Sequence, residues 1–207
     1  GHTDPIGEIG AITAKHGLWL HVDGCLGGFI LPFAREFDPS IPDFDFLVPG
    51  VNSISLDIHK YGYAAKGVSA LMFRNETHAD YNRTSFDDWP GGLYFSPTFA
   101  GSRPGALSAT CWAAMLSIGE KGYRDSVQKI LETAETIKKG IGEIDELKIM
   151  GNPLWVIAFK SKQMDIYKVM DQMTEKGWNL NGLHKPACVH ICITLRHTKK
   201  GIADRFL

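Results

Sequence analysis

Cysteine is scarce: Cys25, Cys111, Cys188 and Cys192 are scattered over 207 positions. That is too few and too dispersed for a disulfide scaffold, and a core of this size needs no staples, so a reducing compartment is the expectation. Long hydrophobic runs are lacking as well. The longest, residues 17–22 and 68–73, fall far short of the roughly 18–20 residues needed to cross a bilayer. Neither sign of charge dominates, with 22 Lys and Arg against 23 Asp and Glu. No basic block could neutralise a run of phosphates, and nucleic acid is not expected as a partner. Repeats and low-complexity tracts are missing too. What remains is 44% apolar and 22% charged, the composition of a folded globular chain rather than a disordered or fibrous one.

The first three-fifths read as α/β. Asp4 and Pro5 suit an N-cap and first helical position, Ile6, Ile9 and Ile12 recur at helical spacing, and Gly17 stops the helix. Residues 18–22 form an apolar run ending in Asp23, as a buried parallel strand delivers a polar residue at its carboxyl end. Residues 52–57 and 68–73 read as further strands. From Pro104 two successive helices are expected, the second with Val127, Ile130, Leu131, Ala134, Ile137, Ile141 and Ile144 on one face. Beyond Gly151 the order becomes strand (154–159), helix (165–176), strand (178–183) and strand (188–195), a small α+β unit. A second domain is expected to begin near residues 119–123. Gly1 in place of Met, and an end directly after the helix-like residues 201–207, read as cut ends, so the chain is expected to be a fragment.

The chemistry concentrates in His21-Val22-Asp23 and Asp57-Ile58-His59-Lys60. A lysine placed here after a strand and histidine, 37 residues beyond the acid, suits pyridoxal phosphate. An amine binds the cofactor aldehyde, and a carboxylate pairs with the pyridinium nitrogen and keeps it protonated. Singly, each residue has a plainer use: an Asp at a strand end often caps a helix, and a Lys is usually solvated. Cys25, two residues past the acid, could line the site, though packing is the preferred reading, since free Cys is among the most buried residue types. Cys188, His190 and Cys192 alternate onto one strand face. The outer pair is nevertheless about 13 Å apart at roughly 3.3 Å per residue, too far to share one zinc, so no metal is expected.

The surroundings narrow the choice. Residues 21–29, HVDGCLGGF, and 53–67, SISLDIHKYGYAAKG, resemble the aspartate and lysine segments of the pyridoxal-phosphate-dependent group II decarboxylase family. Together with GGLYFSPTFAGSRPG at 91–105, GWNLN at 177–181 and VHICIT at 189–194, they are most similar to that family's carbon–carbon lyase branch. The resemblance implies an aspartate-aminotransferase-type (fold type I) α/β fold. Residues 1–119 would be the C-terminal part of the cofactor-binding large domain, and 120–207 a truncated small α+β domain. It implies pyridoxal 5'-phosphate as cofactor, a homodimer with sites at the subunit interface, and retro-aldol cleavage of sphingoid-base 1-phosphates to a long-chain aldehyde and phosphoethanolamine. An amino acid decarboxylase, or an inactive truncated relative, stays open.

Residue by residue, the resemblance makes Lys60 the Schiff-base lysine and Asp23 the pyridinium partner, with His59 against the cofactor phosphate. His21 shares the face of Asp23 on an alternating strand and could orient it, or be a satisfied core histidine. Lys66 matches a lysine of the lyase motif and could hold the substrate phosphate, with Tyr63 and Tyr61 beside it; surface lysine and packing rings are the alternatives. Ser102, in a turn opening a helix, is the candidate contact to the cofactor phosphate of a neighbouring subunit, while Arg103 could be structural. The family places a cofactor-phosphate turn and a ring stacked on the pyridine upstream of the aspartate motif, so residues 1–207 alone are expected to be inactive. Eukaryotic members are held on the endoplasmic reticulum membrane, facing the cytosol, by an N-terminal segment not found here; bacterial ones are cytoplasmic.

Overall fold

The computed structural model describes residues 2–207. In chain order the elements are α1 Ile6–Lys15, β1 His21–Asp23, a 3-10 turn Gly27–Phe29, α2 Leu31–Phe37, β2 Ser53–Leu56, β3 Ala70–Phe73, α3 Glu76–Asp80, β4 Thr84–Phe86, β5 Tyr94–Ser96 and α4 Gly105–Gly142. There follow β6 Leu147–Ile149, β7 Val156–Ser161, α5 Ile166–Glu175, β8 Asn181–His184, β9 Ala187–Cys192 and α6 Ile202–Phe206. They form two compact units, Asp4–Tyr123 and Arg124–Leu207, the latter joined by His2 and Thr3.

In the first unit β1 and β2 run parallel, His21 opposite Ser53 and Asp23 opposite Ser55. Such a pair needs a crossover, supplied by the 3-10 turn and α2. β3 returns antiparallel to β2, with Leu56 opposite Ala70. Ile54, Val51, Ile30 and Ala34 are buried and carry the core, while β4 and β5 make a separate two-stranded ribbon. The expected strand at 18–22 starts later than its apolar run: Leu18 and Trp19 are exposed. Leu20 N–H instead donates to the Asn52 side chain at 2.9 Å and its carbonyl accepts from Asn52 N–H at 2.9 Å, so the ladder begins only at His21. The first helix is capped by Pro5, without a side-chain bond, rather than by Asp4. Asp4 serves through its carbonyl, which accepts from Ile6 N–H at 2.8 Å.

α4 contains one non-helical residue, Gly119, at φ 64° and ψ 169°. This is a conformation that glycine alone adopts cheaply, and it makes two helices of one run. In the second unit Val127, Ile130, Ala134, Ile137 and Ile141 form the buried stripe of the later helix. The sheet has the order β6-β7-β9-β8, all antiparallel, with Ile157, Val189 and Ile191 buried. The expected strand at 178–183 is shifted to Asn181–His184, because Gly177 and Trp178 N–H still donate to the Thr174 and Met173 carbonyls, each at 2.9 Å, and pairing begins only with Asn181 opposite His190. Asp165 caps α5 through its carboxylate, which accepts from Tyr167 N–H at 3.0 Å.

Candidate active site

The parallel register sets the acid. Side chains alternate along a strand, so His21 and Asp23 lie beside Ser53 and Ser55 on one face. Trp19 Nε1–H donates to Ser53 Oγ at 2.9 Å. Ser53 Oγ lies 2.8 Å from His21 Nδ1, and His21 Nε2 lies 3.1 Å from Ser55 Oγ. Ser55 Oγ donates at 3.5 Å to Asp23 Oδ1. One direction of donation satisfies the whole row: Trp19 to Ser53, Ser53 to Nδ1, Nε2–H to Ser55, Ser55 to the carboxylate. Cys25 N–H adds a shorter bond to Asp23 Oδ1 at 3.0 Å. That backbone bond, then the Cys25 side chain and the Lys60 charge, hold the Asp23 carboxyl below its ordinary range, against burial and the neighbouring Asp57. Asp23 is therefore ionised, and it is exposed.

The amine comes from the loop that joins β2 to β3. Lys60 N–H donates to Asp57 O at 3.1 Å, Tyr63 N–H to Lys60 O at 3.2 Å and Ala64 N–H to Ile58 O at 3.1 Å, so the loop is bonded within itself. A Cβ at Gly62 would come within 2.5 Å of the Ile58 carbonyl oxygen, which only glycine avoids. The Tyr123 hydroxyl, buried, donates to Gly62 O at 2.8 Å, and burial pushes its phenol up. Lys60 Nζ sits 2.7 Å from Asp57 Oδ2. Asp57 chiefly, with the Cys25 side chain, holds the Lys60 ammonium above its ordinary range, against some burial. The Ser69 hydroxyl donates to Asp57 Oδ1. His59 Nδ1 is 2.7 Å from the Val68 carbonyl, to which it donates, and its Nε2 is 3.9 Å from Asp57.

Of the residues expected in the site, Asp23, His21, His59 and Lys60 thus fall within two linked hydrogen-bonded groups. Lys66 is exposed on the same loop, and the neighbouring Gly67 faces Leu107 in the first turn of α4. Tyr63, at φ 60°, stacks on Tyr123 with centroids 6.2 Å apart and planes at 11°. Ser102 is exposed ahead of α4, and its carbonyl accepts from Arg103 Nη1 at 2.7 Å. Tyr61 is buried. Of the two readings of Cys25 the preferred one is corrected: it is half-exposed beside the acid, to which its N–H donates, and is not packed in the core. Ser53, Ser55 and Tyr123 are not singled out by the sequence, and Asp57 stands in the lysine segment there without a role of its own. The alternation of Ser53 and Ser55 against His21 and Asp23 is the one signal that could have found the serines, and it needs the register. Among the described residues no group of three or more His, Cys, Asp or Glu is placed to hold a metal.

The donor set fits pyridoxal phosphate. An exposed, ionised carboxylate can receive the ring N–H, and the partly exposed Lys60 amine, whose charge bears on that carboxylate, can take the cofactor aldehyde. The fold is that of the pyridoxal-dependent enzymes of fold type I. The chain belongs to the pyridoxal-dependent decarboxylase family, whose conserved domain matches residues 1–162.

It is 50% identical over 208 residues to the sphingosine-1-phosphate lyase of Arabidopsis thaliana, covering 100% of this chain and 38% of that protein. To sphingosine-1-phosphate lyase 1 of Rattus norvegicus it is 46% identical over 209 residues, covering 100% and 37%. The sphingosine-1-phosphate lyase structure from Burkholderia pseudomallei superposes with a TM-score of 0.94 at 45% identity, covering 100% of this chain and 47% of that one. Glutamate decarboxylase of Lactobacillus brevis, at 20% identity, TM-score 0.82 and coverage of 100% and 50%, shares the fold. The chain thus spans well under half the length of the curated relatives it matches.

Proposed function

We propose that the protein to which these residues belong is a pyridoxal-phosphate-dependent carbon–carbon lyase. Its substrates would be sphingoid-base 1-phosphates, and its products a long-chain aldehyde and phosphoethanolamine. The observation that carries this reading is identity of 46–50%, over the whole chain, to sphingosine-1-phosphate lyases of a plant and a mammal. Bound pyridoxal phosphate supplies an electron sink for the pair released when the Cα–Cβ bond breaks. Asp23 holds the proton on the ring nitrogen, and Lys60 is the amine that tethers the cofactor and yields to the substrate amine. His21, with both ring nitrogens on serines, serves the cofactor through Asp23. His59 Nε2 and Ser102 are the proposed cofactor-phosphate contacts, and Lys66 with Tyr63 the substrate-phosphate contacts. The substrate's C3 hydroxyl gives up a proton as its carbon becomes the aldehyde, and Cα takes one up.

A homodimer belongs to this reading. Leu93, Phe95, Phe99, Trp112 and Leu116 are each more than 60% exposed, an apolar display that a second copy would cover. For a eukaryotic protein the reading places it on the endoplasmic reticulum membrane with these residues facing the cytosol, and for a bacterial one in the cytoplasm. Among the described residues no helix is long and apolar enough to cross a membrane.

The test is full-length protein supplied with cofactor and a phosphorylated long-chain base. Long-chain aldehyde and a visible cofactor band are expected, both lost in Lys60→Ala. Carbon dioxide from an amino acid, without aldehyde, would overturn the lyase reading.

A further inference from the structure

Asp57 divides its two oxygens. Oδ1 accepts from the Ser69 hydroxyl at the foot of β3, and Oδ2 lies 2.7 Å from Lys60 Nζ. The partners are three positions apart in sequence, which could describe an ordinary surface pair of little worth. The setting differs. The Asp57 side chain is only 17% exposed, it is clasped just past the last ladder pair, Leu56 with Ala70, and the lysine it holds is the nucleophile of the proposed reaction. The groups that bear on Lys60 are Asp57 on its own loop and Cys25 and Asp23 from the end of β1; His59 and Ser69 bear on Asp57.

We propose that Asp57 is the docking site for the free Lys60 ammonium, a positioning residue that Lys60 leaves when it captures the cofactor and to which it returns when the substrate amine displaces it. The inference rests on the reading of Lys60 as the cofactor lysine. Capture of the cofactor aldehyde needs the neutral amine. Lys60 gives one proton to solvent, its lone pair adds to the aldehyde carbon, a carbon–nitrogen double bond replaces the carbonyl, and the carbonyl oxygen leaves as water. Asp57 opposes the first of these events, because the ion pair favours the charged amine. On release it has the opposite use: the displaced lysine takes up a proton and is drawn to Oδ2, away from the reacting carbon. Ser69 keeps Oδ2 aimed by occupying Oδ1. Asp57 thereby sets the pH at which Lys60 becomes a nucleophile, without touching substrate.

The test is trace labelling of full-length, cofactor-free protein with acetic anhydride from about pH 6 to about pH 11, a range bracketing the lysine value. Labelling at Lys60 is read by peptide mass spectrometry. In the unaltered protein the midpoint for Lys60 should lie above that of N-acetyl-lysine amide. Asp57→Asn should lower it by about one pH unit, with roughly tenfold more labelling at neutral pH, and Asp57→Glu should restore it in part. An unchanged midpoint in Asp57→Asn overturns the proposal. Should that variant not fold, a Lys60 midpoint in the unaltered protein at or below the small amine's overturns it equally. A separate arm adds pyridoxal phosphate and traps the product with borohydride. Trapping at a different lysine would sink the cofactor-lysine reading while the acetylation midpoints still judged the ion pair.

Discussion

At Asp23 two donors of unequal quality meet the same oxygen: the Cys25 backbone at 3.0 Å and the Ser55 hydroxyl at 3.5 Å. The shorter bond, which no side-chain replacement removes, carries most of the support. Ser55→Ala is therefore expected to cost full-length enzyme only a few-fold in turnover, because a bond of 3.5 Å is too long to gain much even from a charged acceptor. Asp23→Asn removes the charge opposite the ring nitrogen and should cost on the order of a hundredfold or more. Turnover and cofactor absorbance of the two variants side by side check this; equal losses would mean that the row from Trp19 to Ser55 governs the carboxylate. Asp23 was legible as the charge that closes the apolar run 18–22, and Lys60 through the likeness of residues 53–67 to the family's lysine segment. Cys25 and Asp57 were not. Their importance depends on which side chains the β1–β2 register brings face to face, and neither apolar patterning nor composition encodes register.

The element that positions the amine is the loop between β2 and β3, and Tyr123 is its outside support. Its ring lies among Phe29, Phe33 and Tyr63, with centroids 5.5, 5.9 and 6.2 Å away, so Tyr123→Phe should keep the packing. It would leave the Gly62 carbonyl without its tyrosine hydroxyl. A loss of about 1–2 kcal/mol is expected from a buried acceptor so exposed, read as a lower urea midpoint, with the cofactor bound more weakly. An unaltered midpoint would show that the hydroxyl contributes nothing to holding the turn. Helices were easier to read than strands here. The stripe from Val127 to Ile141 repeats often enough to be unmistakable, whereas three- and four-residue strands such as β1 and β4 offer too few alternations to fix their ends. The β4–β5 ribbon escaped notice because residues 84–96 show no alternation of buried and exposed positions.

For the molecule as a whole, the two units should respond differently to acid. In the second unit burial, the leading cause in each case, holds His190 and His197 below the ordinary histidine value of 6.5, and Arg196 pushes His197 the same way. A depressed folded value means that the unfolded chain binds more protons, so this stability is complete above the unfolded value and lost as pH falls through the folded one. Asp23 and Asp57 in the first unit are depressed from an ordinary value of 3.8, and by the same sign their contribution is lost only at still lower pH. Hydrogen exchange at falling pH should show residues 178–197 losing protection below the ordinary histidine value of 6.5, before residues 20–23 and 53–56 do. The reverse order would refute it.

The lysine loop also bears on how the site comes into being. Its ends are already joined by the Leu56–Ala70 ladder pair, only fourteen positions apart, and a closure that short costs little chain entropy. Bringing β1 beside β2 must instead close the span from Asp23 to Ser55, around a crossover. Local closures precede distant ones in topology-limited folding. Assembly is thus expected to follow an order in which the cradle of the amine forms first and the acid that makes it useful arrives later. A distant lesion that slows folding would then strand molecules with Lys60 docked on Asp57 and no carboxylate to face it, intact by the local measure and inert by the global one.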